Sequence, residues 1–151
     1  MSPALAGIGA PAADALDVTV RAPAANGAAM TQPLALIVDD STFLAMHLAR
    51  QLEGLGFHAH VPVDAADLHE RMAQAALICV ELELFHASGF EVTRELAEQC
   101  ACPLMLLSGS GRKTDLQWGL RAGARAVLQR PVRADALRTA LVRIGCGALT
   151  R

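Results

Sequence analysis

Residues 76–92, ALICVELELFHASGFEV, decide how the chain folds. An unbroken apolar run from Ala76 to Val80 meets a carboxylate, Glu81. A strand that is apolar at every position has no solvent face, so it lies buried on both sides, as in a parallel sheet. The turn HASG then leads into GFEVTRELAEQ, which reads as a helix returning over that sheet. Strand, turn and helix make one βα unit, and the glutamate stands where the strand opens into its loop.

The same texture extends in both directions. LALIV (34–38) is a second continuous apolar run and ends in Asp39-Asp40. STFLAMHLARQLEGLGF follows, with Phe43, Leu44, Met46, Leu48, Leu52 and Leu55 at helical spacing, Ser41 as a cap, and Gly54 and Gly56 as stops. HAHV reads as a short edge strand and AADLHERMAQ as a short helix. PLMLLS is a third apolar strand, KTDLQWGLRAG a helix closed by Gly123, AVLQ a short strand, and RADALRTALVRI a last amphipathic helix after Pro131. Five strands alternating with five helices predict an α/β domain: a doubly wound, five-stranded parallel sheet with helices on both faces.

Composition sets the limits. Hydrophobic residues make up 53% of the 151-residue chain but aromatics only 3%, so the core must be aliphatic. Residues 1–32 are rich in Ala, Gly and Pro and carry three charges; they read as a disordered tail, with Met30 as an alternative start. Residues 33–146 form the domain and 147–151 a short C-terminal tail. No run reaches the length of a membrane span, and the N-terminus lacks the basic region of a signal peptide. Cys100-Ala101-Cys102 is too tight for the usual metal spacing and has no answering His or Cys pair; reduced thiols in a cytoplasmic protein are expected.

In doubly wound sheets the site lies beyond the carboxyl ends of the strands. The strands end at Asp39 and Asp40, at Glu81, at Ser108 and at Arg130. Three carboxylates, one hydroxyl and one guanidinium therefore converge on one edge. Here the chain resembles the receiver domain of two-component response regulators. That family carries an acidic pair after the first strand, a phosphorylated Asp after the third, Thr or Ser after the fourth and Lys-Pro after the fifth. LIVDDS, GFEV, PLMLLSG and AGARAVLQRPV fall in that order and spacing, from Pro33 to about Ile144. The resemblance implies a flavodoxin-like sheet of order 2-1-3-4-5.

It also marks the departures. Glu81 takes the phosphoacceptor position, Arg130 that of the Lys, Phe85 that of a loop Pro, and Val127 that of an aromatic switch residue. Glu81 is longer than Asp by about 1.5 Å of bond, and a displacement of that order costs about 10²-fold in rate. It is thus a poor acceptor and a partial mimic of the phosphorylated state. Arg130 either pairs with Glu81 across the cleft or reflects a composition in which Lys113 is the only Lys. At a partly wet cleft edge, losing such a pair is expected to cost on the order of 1–2 kcal/mol. The resemblance makes Asp39 and Asp40 a degenerate Mg²⁺ site, binding weakly or not at all, with Ser108 and Arg130 as phosphoryl-site partners.

Charge is uneven: residues 1–111 hold 4 basic and 13 acidic side chains, residues 112–151 hold 9 and 2. In the receiver family the basic part is the dimerisation and output face. Leu116, Trp118, Arg121, Arg125 and Arg133 are its candidate contacts, with Arg138 and Arg143 beside them. Leu116 and Trp118 lie about 200° apart on the helix, so one of them is expected to be exposed. The function read from the chain is a stand-alone atypical receiver, not an enzyme. It would work by contact with a histidine kinase or other signalling protein, or as a homodimer through that face. A phosphorylation-competent receiver using Asp39, Asp40 or Glu81 is one alternative. An anionic-ligand or nucleic-acid binder is another, disfavoured because Trp118 is the only aromatic after residue 90. No nucleophile–His pair is evident; His86 reads as a loop residue.

Overall fold

The computed structural model describes residues 3–8 and 32–146. The rest of the stretch read as an N-terminal tail, and residues 147–151, lie outside the described residues. Five strands, β1 (Leu34–Val38), β2 (His58–His60), β3 (Ala75–Glu81), β4 (Leu104–Ser108) and β5 (Ala126–Gln129), form one parallel sheet of order β2-β1-β3-β4-β5. The helices are α1 (Pro3–Ala6), α2 (Thr42–Gly54), α3 (Ala65–Met72), α4 (Gly89–Gln99), α5 (Lys113–Ala122) and α6 (Ala134–Arg143). Each predicted strand and each of the five predicted helices is present.

Alternate residues along each strand point to opposite faces, and this sorts the core into two layers. Ile37, Cys79, Met105 and Leu107 pack under α2 and α6 with Leu48, Leu52, Phe57, Leu137 and Leu141. Leu36, Val38, Ile78, Val80 and Leu106 pack on the other face with Leu68, Val92 and Leu96. Local sequence fixes the helix starts. Ser41, Asp64 and Ser88 cap α2, α3 and α4 by accepting from Leu44, Asp67 and Phe90 N–H. Gly89 is required by contact: a Cβ there would lie 2.4 Å from the Glu81 carbonyl oxygen. The βα turn can therefore fold tightly over the end of β3, and Gly89 N–H donates to Leu82 O at 2.7 Å.

Residues 3–8 differ from the expectation of a disordered tail. They form the one-turn α1, and Leu5 and Ile8, 3% and 7% exposed, join the layer that holds Val38, Leu68 and Leu82. Apolar burial on a ready-made face offsets the ordering of so short a segment. Among the described residues no helix is long and apolar enough to cross a membrane.

Candidate functional site

Parallel pairing brings the ends of β1, β3, β4 and β5 to a common edge. Arg130 leaves β5 with its N–H bonded to Ser108 O at 2.8 Å, which aims the side chain back across the sheet. Its Nε donates to Glu81 Oε1 at 2.7 Å and its Nη2 to Asp39 Oδ2 at 2.8 Å. The remaining oxygens are taken by the backbone: Glu83 N–H donates to Glu81 Oε2 and Ser41 N–H to Asp39 Oδ1, both at 2.9 Å. The three side chains are only 10%, 6% and 1% exposed for Arg130, Glu81 and Asp39.

This is a buried three-membered ion cluster, and it corrects the expectation of a partly wet pair. Asp39, read from the sequence as half of a metal site, is a full member of it. Burial dominates the Asp39 carboxyl and holds it up to about 6, against the opposing pull of the Ser41 N–H and the Arg130 guanidinium. Glu81 and Asp40 add a smaller push in the same direction as burial.

Ser108 reaches the edge and is bonded there to Asp115 and to the loop that follows it. Its Oγ donates to Asp115 Oδ2 at 2.6 Å and accepts the Ser110 and Gly111 N–H groups. Ser110 Oγ also donates to Asp115. The two hydroxyls hold the Asp115 carboxyl below its ordinary range. Asp115 was not anticipated from sequence. The signal for it is a carboxylate in the first turn of α5, just after a strand end and a loop that each carry a serine.

Asp40 accepts the Phe85 N–H at 2.6 Å and so ties the loop after β3 to the end of β1. Phe85 in that loop and Phe43 in the first turn of α2 stand 90% and 76% exposed. A cavity of about 230 Å³ opens beside Asp39 and Asp40, walled by Phe85, His86 and, from the N-terminal segment, Gly7 and Ile8. His86 is an exposed loop residue, as read.

The residues present do not fit Mg²⁺. The ion demands near-octahedral oxygen ligands. Here a guanidinium lies between Asp39 and Glu81, and five of the six oxygens of Asp39, Asp40 and Glu81 already accept hydrogen bonds. Among the described residues no group of three or more His, Cys, Asp or Glu is arranged to hold a metal.

The basic face comprises α5, β5 and α6. Leu116 and Trp118 are both about half exposed, 44% and 52%, and neither faces the sheet fully. Gly119 and Ala122 take the sheet side of α5 instead. A Cβ on Gly119 would meet Val127 Cγ2 at 2.7 Å, so the helix sits close and its larger side chains turn outward. The Arg121 guanidinium lies 5.5 Å from the Trp118 ring centre. A groove of about 490 Å³ between α5 and α6 is lined by Leu116, Leu120, Val127, Arg125 and Arg143. Arg133 is exposed and pairs with Asp135 at 3.3 Å.

The response regulator receiver domain family matches residues 35–142. The chain belongs to that family. As a receiver it is 32% identical over 110 residues to protein PilH of Pseudomonas aeruginosa, covering 68% of this chain and 88% of PilH. Among solved structures, a response regulator protein from Burkholderia pseudomallei, described with a phosphorylated aspartic acid, a calcium ion and citrate, superposes with a TM-score of 0.64. It is 25% identical, over 72% of this chain and 66% of that one. A response regulator receiver domain protein from Clostridium thermocellum gives a TM-score of 0.66 at 19% identity, over 74% and 93% of the two chains. The sheet order and helix placement are those of the flavodoxin-like receiver fold. Family membership places the chain among two-component signalling domains.

Proposed function

We propose that this receiver signals by protein contact without regulated phosphorylation of its strand-end acid. The observation that carries the reading is the Arg130 guanidinium bound between Glu81 and Asp39. An acceptor carboxylate must present a free oxygen in line with a phosphodonor, and phosphoryl transfer depends almost wholly on such positioning. Both Glu81 oxygens are engaged, one by a cation and one by a backbone N–H. The Ser108 hydroxyl, which the family resemblance makes a phosphoryl partner, is held by Asp115. The relative from Burkholderia pseudomallei carries a phosphorylated Asp and a calcium ion; here a longer acid and a fixed guanidinium stand in for such chemistry.

The partner is a histidine kinase or another signalling protein, engaged through α5, β5 and α6. The apolar groove rimmed by Arg125 and Arg143 suits an acidic protein surface. A second copy of the chain on the same face is the competing occupant.

The test is incubation of the full chain with acetyl phosphate and Mg²⁺, read by intact-mass spectrometry. The expected result is no phosphoryl adduct. A labile adduct of one phosphoryl group mapped to Glu81, Asp39 or Asp40 overturns the reading in favour of a working phosphorelay receiver.

A further inference from the structure

At the opposite end of the sheet from the acid cluster, the turn between α4 and β4 brings two thiols together. Cys100 is the C-cap of α4, with extended backbone at φ −131° and ψ 153°. Cys102 precedes Pro103, a position biased towards extended backbone. In extended chain, residues two apart point to the same side. Accordingly Cys102 Sγ lies 3.8 Å from Cys100 Sγ, with the Cys102 thiol donating to the Cys100 sulfur. Both side chains are partly exposed, whereas Cys79 and Cys146 are buried at 0% and 6%.

We propose that Cys100 and Cys102 are a redox-active dithiol that closes to a disulfide by exchange with a small-molecule disulfide of the glutathione class. The Cys100 thiolate attacks one sulfur of oxidised glutathione. A mixed disulfide forms, and the first glutathione leaves as thiolate. Cys102 then gives up its proton and attacks Cys100 Sγ, forming the Cys100–Cys102 bond and expelling the second glutathione. The protein loses two protons and two electrons; one oxidised glutathione becomes two reduced ones.

Chemistry at the pair supports the order of attack. The hydrogen bond from Cys102 pulls the Cys100 thiol down to about 7, while the same bond pushes the Cys102 thiol up. A thiol titrating near ambient pH is the most effective attacker, and its neighbour is placed to resolve the adduct. Closing to a disulfide of about 2.05 Å requires the sulfurs to approach by less than about 2 Å. Cys79 offers a contrast: burial pushes its thiol up to about 12, so it stays inert.

The full chain is equilibrated near neutral pH with an excess of oxidised glutathione, quenched in acid, and read by intact mass and peptide mapping after alkylation of the remaining thiols. The expected product has two of the four thiols protected and a two-hydrogen mass loss within the Cys100–Cys102 peptide. Cys102→Ser is expected to stop at a persistent glutathione adduct on Cys100, because the resolving thiol is gone. Four alkylatable thiols after equilibration, a stable glutathione adduct on the unmodified chain, or a disulfide between two chains would each overturn the proposal.

Discussion

Removing the guanidinium of Arg130 tests the ion cluster most directly. Arg130→Gln leaves Glu81 and Asp39 buried at 6% and 1% exposure with no cation between them. Breaking a buried pair by removing one partner costs about 3–5 kcal/mol, and here one removal orphans two acids. Uptake of a proton by Asp39, already held up to about 6, limits the loss to that range. Glu81→Gln is milder. It keeps the side chain's length and one acceptor, and Arg130 still pairs with Asp39, so about 1–2 kcal/mol is expected. In the double variant Arg130 is no longer present to lose Glu81, so the costs should fall short of their sum by about 1–3 kcal/mol. Urea denaturation near neutral pH, followed by far-ultraviolet circular dichroism, measures all four forms if the slope stays constant. Trp118 is half exposed and makes fluorescence a poor probe of this transition. Additive costs, or an Arg130→Gln cost below about 1 kcal/mol, would refute the argument that the three side chains form one desolvated unit.

The raised Asp39 carboxyl implies a pH signature of definite sign: stability from its protonated form is complete below about pH 4 and is lost as pH rises through about 6. Against Asp39→Asn, which cannot titrate, the wild-type chain should lose about 3 kcal/mol of relative stability across that window; parallel profiles would contradict it. Asp115→Asn should cost about 1 kcal/mol and speed exchange of the Ser110 and Gly111 amides, because Ser108 Oγ loses its charged acceptor; hydrogen exchange reads this, and unchanged rates would count against the lock on Ser108. Leu5→Asp should detach residues 3–8 and cost about 2 kcal/mol in the same urea assay, since a side chain only 3% exposed would have to leave its apolar layer; an unchanged midpoint would mean the segment adds nothing.

The fold could be read from the chain because burial on both faces writes each central strand as an unbroken apolar run. LALIV, ALICV and LMLLS have no other reading in so short a space, and their polar terminators Asp39, Glu81 and Ser108 marked the edge directly. The Glu81–Arg130 contact was one of the two readings the sequence left open for Arg130, offered by the two side chains' complementary shapes. Its depth was not anticipated, since burial at a strand end depends on how tightly the turn at Gly89 and the loop bearing Glu83 close over it. The Ser108–Asp115 bond was not legible, because a hydroxyl at a strand end can turn in more than one direction and a carboxylate seven residues later, in the first turn of α5, holds it here. The spacing of Ala4, Leu5 and Ile8 was hidden in an Ala-, Gly- and Pro-rich stretch, where composition spoke louder than pattern.

Arg130 is a counter-ion carried on the same chain as the two acids it pairs. A free cation occupies its site according to its concentration, so such a site spends part of its time half-loaded and reports the surrounding solution. A tethered cation has a fixed effective concentration, independent of dilution and of competing salts outside the buried edge. Folding itself delivers the charge. The fraction of molecules in which Arg130 pairs both acids therefore follows the fraction folded, and the pairing is shielded from the salt outside the buried edge.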